Sequence, residues 1–121
     1  MFELVKSFHF EAAHHLPKVP ADHPCYRIHG HSYRIELAVQ GALDEEMGWV
    51  LDFGEIAAVV KPILEKELDH RLLNEVPGLE NPTSERLAHW LWQRVVVRLP
   101  QLHRVTVAET CTSTCHYYGP K

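Results

Sequence analysis

The most constraining feature of this chain is an alternation of apolar and polar residues that begins at its second position. Phe2, Leu4, Phe8, Phe10 and Ala12 occupy even positions with Glu3, Ser7, His9 and Glu11 between them, the two-residue period of a strand with one buried face. A helix would scatter these residues around its axis, so the pattern calls for a sheet. His14 extends the even series and therefore shares the side of the phenylalanines, whereas His15 points the other way. Strand parity alone separates these two histidines as site candidates. A second alternation places Tyr33, Ile35, Leu37 and Val39 on odd positions, and His29 and His31 precede them on the same register. Two strands thus each carry histidine on a core-facing side. Gly30 removes bulk from the opposite side and permits unusual dihedrals at a strand end.

The rest of the chain supplies what covers that sheet. Pro17 and Pro20 force a loop that delivers Cys25 four residues before His29. A polar turn from Gly41 to Gly48 leads to Asp52, a helix N-cap with Glu55 at the capping-box spacing. Ile56, Val59, Val60, Ile63, Leu64 and Leu68 then recur at helical spacing, with Pro62 predicting a kink or an irregular first segment. After Leu68-Asp69-His70 and a loop to Pro82, Thr83 or Ser84 caps a second helix striped by Ala88, Leu91, Trp92, Val95, Val96 and Leu99 and stopped by Pro100. Val105 and Val107 mark a third long strand ending with Glu109 on its apolar side, and a short strand is expected around His116 to Tyr118. The order strand, strand, helix, helix, strand, strand implies an α+β sheet with two helices on one face. The 121 residues are expected to form a single domain over 1–121.

Composition removes several functional classes. Net charge is −4 with Lys and Arg dispersed, which argues against a nucleic-acid surface while leaving room for a local basic pocket. No run approaches the ~20 apolar residues of a membrane span, so no membrane partner is expected. The N-terminus lacks a basic region followed by a long apolar run, which sets the expectation of a cytoplasmic protein. Cys25, Cys111 and Cys115 are an odd, sparse set, so a disulfide framework is not expected. Neither a phosphate-cradling glycine loop nor a nucleophile elbow occurs.

The chemistry concentrates in few residues. Three neutral imidazoles with an open fourth position suit catalytic zinc, and His14, His29 and His31 can supply them if the first two strands pair. Cys25 beside such a site would be a usable thiolate base or nucleophile; an inert thiol and a fourth zinc ligand stand as alternatives. Asp69 next to His70 can tune an imidazole for proton transfer, or both can be helix-end caps. Glu109, a carboxylate on an apolar register, needs either solvent or a partner such as a guanidine-like ring edge. Lys18 and Arg27 are candidate anion contacts by charge and loop position, while Cys111, Cys115, Trp90, Trp92, Tyr117 and Tyr118 read as structural.

Together, Phe10-Glu11-Ala12-Ala13-His14, Cys25-x3-His29-Gly30-His31, Leu68-Asp69-His70, Asn81-Pro82-Thr83-Ser84-Glu85 and Glu109-Thr110 closely resemble the 6-pyruvoyltetrahydropterin synthase family. The three residues between Cys25 and His29 resemble its 6-carboxy-5,6,7,8-tetrahydropterin synthase branch, in queuosine (7-deazapurine) biosynthesis, where the pyruvoyl-forming branch has a longer spacing. The resemblance implies a tunnelling fold (T-fold): a four-stranded antiparallel sheet with two helices on one face, its strands assembling into an oligomeric barrel, typically a homohexamer of two trimers. It implies one Zn2+ per subunit on His14, His29 and His31, Cys25 as catalytic base, and His70 with Asp69 assisting proton transfer. It also implies that Glu109 anchors a pterin substrate, with Thr83, Ser84 and Thr110 near that pocket, partly across a subunit boundary. The activity implied is a carbon-carbon lyase converting 7,8-dihydroneopterin triphosphate to 6-carboxytetrahydropterin, acetaldehyde and triphosphate. The alternative within the family is elimination of triphosphate without side-chain cleavage.

Overall fold

A computed structural model describes residues 1–120. The two alternations pair with each other. β1 (Phe2–His14) and β2 (His29–Gly41) form one antiparallel ladder from Phe2 opposite Gly41 to His14 opposite His29. This register puts Phe8, Phe10, Ala12 and His14 on the same face as Tyr33, Ile35 and Leu37, and all seven are buried.

β4 (Leu102–Ala108) adds to the far side of β2, and β5 (Cys115–Tyr117) closes that edge, both antiparallel. On the other edge β3 (Arg71–Leu72) runs parallel to Ala12 and Ala13 of β1, so the strand order is β3-β1-β2-β4-β5. The sheet therefore has five strands and one parallel contact, in place of the four antiparallel strands expected. A two-residue strand has no period to read; it forms because the His70 N–H donates to the Glu11 carbonyl at 2.6 Å and the Glu11 N–H to Asp69 Oδ1 at 2.9 Å.

Two helices cover one face. α1 (Phe53–Ile63) starts where Asp52 Oδ1 accepts the Gly54 N–H at 2.9 Å; Glu55 contributes its backbone N–H to the Asp52 carbonyl rather than a side-chain bond. Pro62 lies inside this helix, and the irregularity comes after it: residues Leu64–Leu68 wind as a wider π-turn closed by the Asp69 N–H on the Leu64 carbonyl. The wider turn keeps both Leu64 and Leu68 buried while bringing Asp69 to the β1 edge. α2 (Ser84–Val96) is capped by Thr83, whose Oγ1 accepts the Arg86 N–H at 3.1 Å, and it buries Leu87, Ala88, Trp90, Leu91 and Val95. Each fully buried Leu or Ile between helices and sheet contributes about 1.5–3 kcal/mol. At the C-terminal end, Gly119 is required twice over, by a φ of 89° and by the Trp92 ring, which a Cβ would meet at 2.4 Å. The opposite face of the sheet carries Arg34, Glu36, Arg104 and Thr106, with Arg104 paired to Glu36 and Glu3. Among the described residues no helix is long and apolar enough to cross a membrane.

Candidate metal centre and active site

The end of the β1–β2 ladder brings His14, His29 and His31 together. His14 and His29 are directly opposed, and His31 sits one inward step back on β2. Ring centroids lie 4.6 Å apart for His14 and His29, 5.0 Å for His14 and His31, and 4.9 Å for His29 and His31. One nitrogen from each lies within 4.8 Å of the others, close enough for small side-chain rotations to converge on one ion.

Backbone carbonyls orient two of these rings. His14 Nδ1 is 2.9 Å from the Pro82 carbonyl and His29 Nδ1 is 2.7 Å from the Arg27 carbonyl. A carbonyl only accepts, so both Nδ1 atoms carry hydrogen and both Nε2 lone pairs are free. His14 Nε2 and His31 Nε2 are buried without a hydrogen-bond partner among the described residues. Burial holds the His14 imidazole below the ordinary histidine range, outweighing the opposing bond to Pro82. The neutral form it favours is the one that ligates metal. These three residues can hold a metal ion.

A tether with no sequence signature fixes His15, the residue after His14. Asn74 Oδ1 accepts the His15 N–H at 3.0 Å and Asn74 Nδ2 donates to the His15 carbonyl at 2.9 Å. The side-chain amide thus imitates a neighbouring strand for the residue that follows His14, and it holds His15 outside the cluster. Nothing local in the sequence announces such a contact, which joins positions 59 residues apart.

Glu109 lies one residue beyond β4, with Oε2 3.8 Å from His31 Nε2. Ser84, Glu85, Glu109, Thr110 and Cys115 border a cleft of about 350 Å3, and Thr83 is the adjoining helix cap. Burial, then the charges of Glu85 and Glu109, push the Cys115 thiol up, which makes it a poor thiolate.

Cys25 sits in a short 3-10 turn, half-buried and free, and its carbonyl accepts the Leu16 N–H at 2.7 Å. That bond returns the proline-rich loop to the chain two residues past His14. Among the described residues the Cys25 thiol makes no hydrogen bond with the imidazoles.

The Asp69–His70 pair forms as expected but in another place. His70 Nδ1 is 3.0 Å from Asp69 Oδ2, and the imidazole is 77% exposed. The Glu11 N–H, and after it His70, hold the Asp69 carboxyl below its usual range. His70 adopts a left-handed φ of 61°, uncommon outside glycine, held by its N–H bond to Glu11. It borders a cleft of about 490 Å3 with Glu11, Ala13, Gly30, His31, Ser32 and Arg71, so the dyad and one of the three imidazoles line the same cleft. Gly30 keeps a negative φ, contrary to the expected unusual dihedral, and serves by leaving this cleft open.

Comparison with known proteins places the chain in a family. The sequence profile described as 6-pyruvoyl tetrahydropterin synthase matches residues 3–120. The 6-carboxy-5,6,7,8-tetrahydropterin synthase of Synechocystis sp. is 40% identical, covering 100% of this chain and 96% of that protein. The protein of the same name from Bacillus subtilis is 33% identical over 99% of this chain and 86% of its own length. Among solved structures, the 6-pyruvoyl tetrahydropterin synthase of Caenorhabditis elegans superposes with a TM-score of 0.90 at 24% identity, covering 98% of this chain and 96% of that one, a likeness of fold.

Proposed function

The chain belongs to the 6-pyruvoyl tetrahydropterin synthase family, and from that premise we propose that it is a zinc-dependent 6-carboxy-5,6,7,8-tetrahydropterin synthase acting in queuosine biosynthesis. The reaction converts 7,8-dihydroneopterin triphosphate to 6-carboxytetrahydropterin, acetaldehyde and triphosphate. The observation that carries the reading is the convergence of three imidazoles, two of them turned by backbone carbonyls, with the buried Nε2 atoms of His14 and His31 unpaired. The choice of the carboxy-forming branch rests on the three residues between Cys25 and His29 and on the names of the full-length relatives.

His14, His29 and His31 would hold Zn2+, which would supply a Lewis acid for the substrate's side-chain oxygens and the neighbouring C–H groups. Cys25 is the base that accepts a proton from the substrate side chain. Asp69 holds the His70 ring through Nδ1, leaving Nε2 to donate or accept a proton at the solvent-facing side. Glu109 accepts from the paired N–H groups of the pterin's guanidine-like edge, a bidentate match to a carboxylate. Ser84 and Thr110 border the same cleft, and Thr83 caps the helix beside it.

The His70 ring is 77% exposed at the open β3 edge of the sheet, which favours a site completed between copies. A complete site draws the dyad from one copy and the imidazoles from another, in a homo-oligomeric barrel built through the sheet edges, a hexamer in the fullest form and cytoplasmic in setting. The test is incubation of zinc-loaded protein with 7,8-dihydroneopterin triphosphate. A 6-carboxytetrahydropterin mass with equimolar acetaldehyde supports the reading; a pyruvoyl product without acetaldehyde assigns the chain to the other branch.

A further inference from the structure

The substrate proposed above carries its charge at one end: a neutral pterin ring leads through a short side chain to a triphosphate. The two ends need different surroundings. The cleft bordered by Glu109 suits the ring, since its wall holds two carboxylates, Glu85 and Glu109, with hydroxyls and the Cys115 thiol but no Lys or Arg. Two carboxylates there would repel a triphosphate. The cleft of about 490 Å3 that holds His31 and His70 differs in taking in Arg71, the one Lys or Arg in its wall. Arg71 follows His70 and pairs in register with Ala12, which is itself opposite His31. Two strand spacings, roughly 10 Å, therefore separate its Cα from that of the imidazole.

Arg71 Nη2 donates to the Lys66 carbonyl at 2.9 Å, which holds the guanidinium while leaving its other N–H groups free to donate. Among the described residues it has no carboxylate partner: Asp69 is taken by His70, and Glu67 by Arg94 at 2.7 Å. Lys66 borders an adjoining cleft of about 420 Å3 with His70, Arg71 and Glu75, so two cations there face one acid left unpaired. A guanidinium anchored by its own chain and free of carboxylates matches the paired oxygens of a phosphate. We propose that Arg71 holds the triphosphate of the substrate through a forked pair of N–H bonds, with Lys66 adding charge from the adjoining cleft. This deepens the pterin-synthase reading and rests on it. Because Arg71 follows His70 in β3, it serves whichever site the dyad completes, within one copy or between two. Lys18 borders a separate cleft with Glu80 and Arg86 that includes neither an imidazole nor a dyad residue.

The test is fluorescence titration of zinc-loaded wild type, Arg71→Gln, Arg71→Lys and Lys18→Gln with neopterin triphosphate and with neopterin, whose oxidised ring does not undergo the reaction. Wild type should bind the triphosphate form the more tightly. Arg71→Gln should weaken that form by roughly ten- to a hundredfold, the effect of losing charge-assisted bonds, and leave neopterin affinity unchanged. Arg71→Lys should recover part of the loss, because it returns the charge without the fork. An equal loss for both ligands overturns the assignment, since Arg71 would then act through the fold. Unchanged affinity for the triphosphate form, or a loss confined to Lys18→Gln, overturns it as well. Wild type that binds neopterin with no gain from the triphosphate overturns this assignment and leaves the pterin reading standing. Wild type that binds neither ligand overturns both.

Discussion

Replacing Asn74 with alanine separates fold from site. The amide makes two well-formed bonds to the His15 backbone, at 3.0 and 2.9 Å, and a third to the Glu80 carbonyl at 3.4 Å. The third is longer than the ordinary N–H···O range and adds little. At about 1 kcal/mol net for each of the two good bonds, Asn74→Ala should cost about 2 kcal/mol. For a chain of this size that is a fall in Tm on the order of 5–10 °C. A local effect accompanies the global one, because freeing His15 loosens the end of β1 that aims His14. Loss of a group bonded directly to a ligand typically weakens metal binding by 10- to 100-fold, and this tether, one residue removed, should cost about tenfold. Urea unfolding gives the first quantity, and zinc competition against a chromophoric chelator gives the second. Asn74→Asp keeps an acceptor for the His15 N–H but loses the donor, and should fall between. A folded Asn74→Ala protein with wild-type zinc affinity would show that His14 is positioned without the tether.

Other outcomes follow from the same geometry. Asp69 has its folded-state pKa depressed by the Glu11 N–H and His70, so its contribution to stability is present above the unfolded value of about 3.9 and is lost as pH falls through the lower folded value. Asp69→Asn should flatten acid unfolding in that window, read by fluorescence across a pH series. His14 is also depressed, by burial, and as a base its neutral folded form loses stability as pH drops below about 6.5; metal-free protein should weaken there, and His14→Gln should lessen the dependence. His70→Gly should relieve about 1 kcal/mol of left-handed strain while removing the imidazole. A Tm that holds or rises beside a kcat reduced by 100-fold or more would separate the two roles of that residue.

The inward side of the sheet was legible because a period of two is a strong signal. The parity that assigned His14 rather than His15 is the same parity that buries Phe8 and Phe10, and the ladder places His14 opposite His29. The helix caps at Asp52 and Thr83 were legible because they are local chemistry. Contacts between distant segments were not. β3 exists through the bonds of Asp69 and His70 to Glu11, and the end of β1 is tethered by Asn74 to His15 and by the Pro82 carbonyl to His14, none of which has a sequence period. The position of His70 at the β1 edge likewise depended on the π-turn after Pro62, whose extra width decides where the chain meets β1.

The central claim is that three histidines on two paired strands hold the ion needed for carbon-carbon cleavage. Its most direct test is acetaldehyde release from 7,8-dihydroneopterin triphosphate by wild type and by His14→Ala, each stripped with chelator and then resupplied with zinc. Wild type should release acetaldehyde, stop on stripping and resume with one zinc per chain, and His14→Ala should not resume. Undiminished release from stripped wild type, or from zinc-supplied His14→Ala, would contradict it.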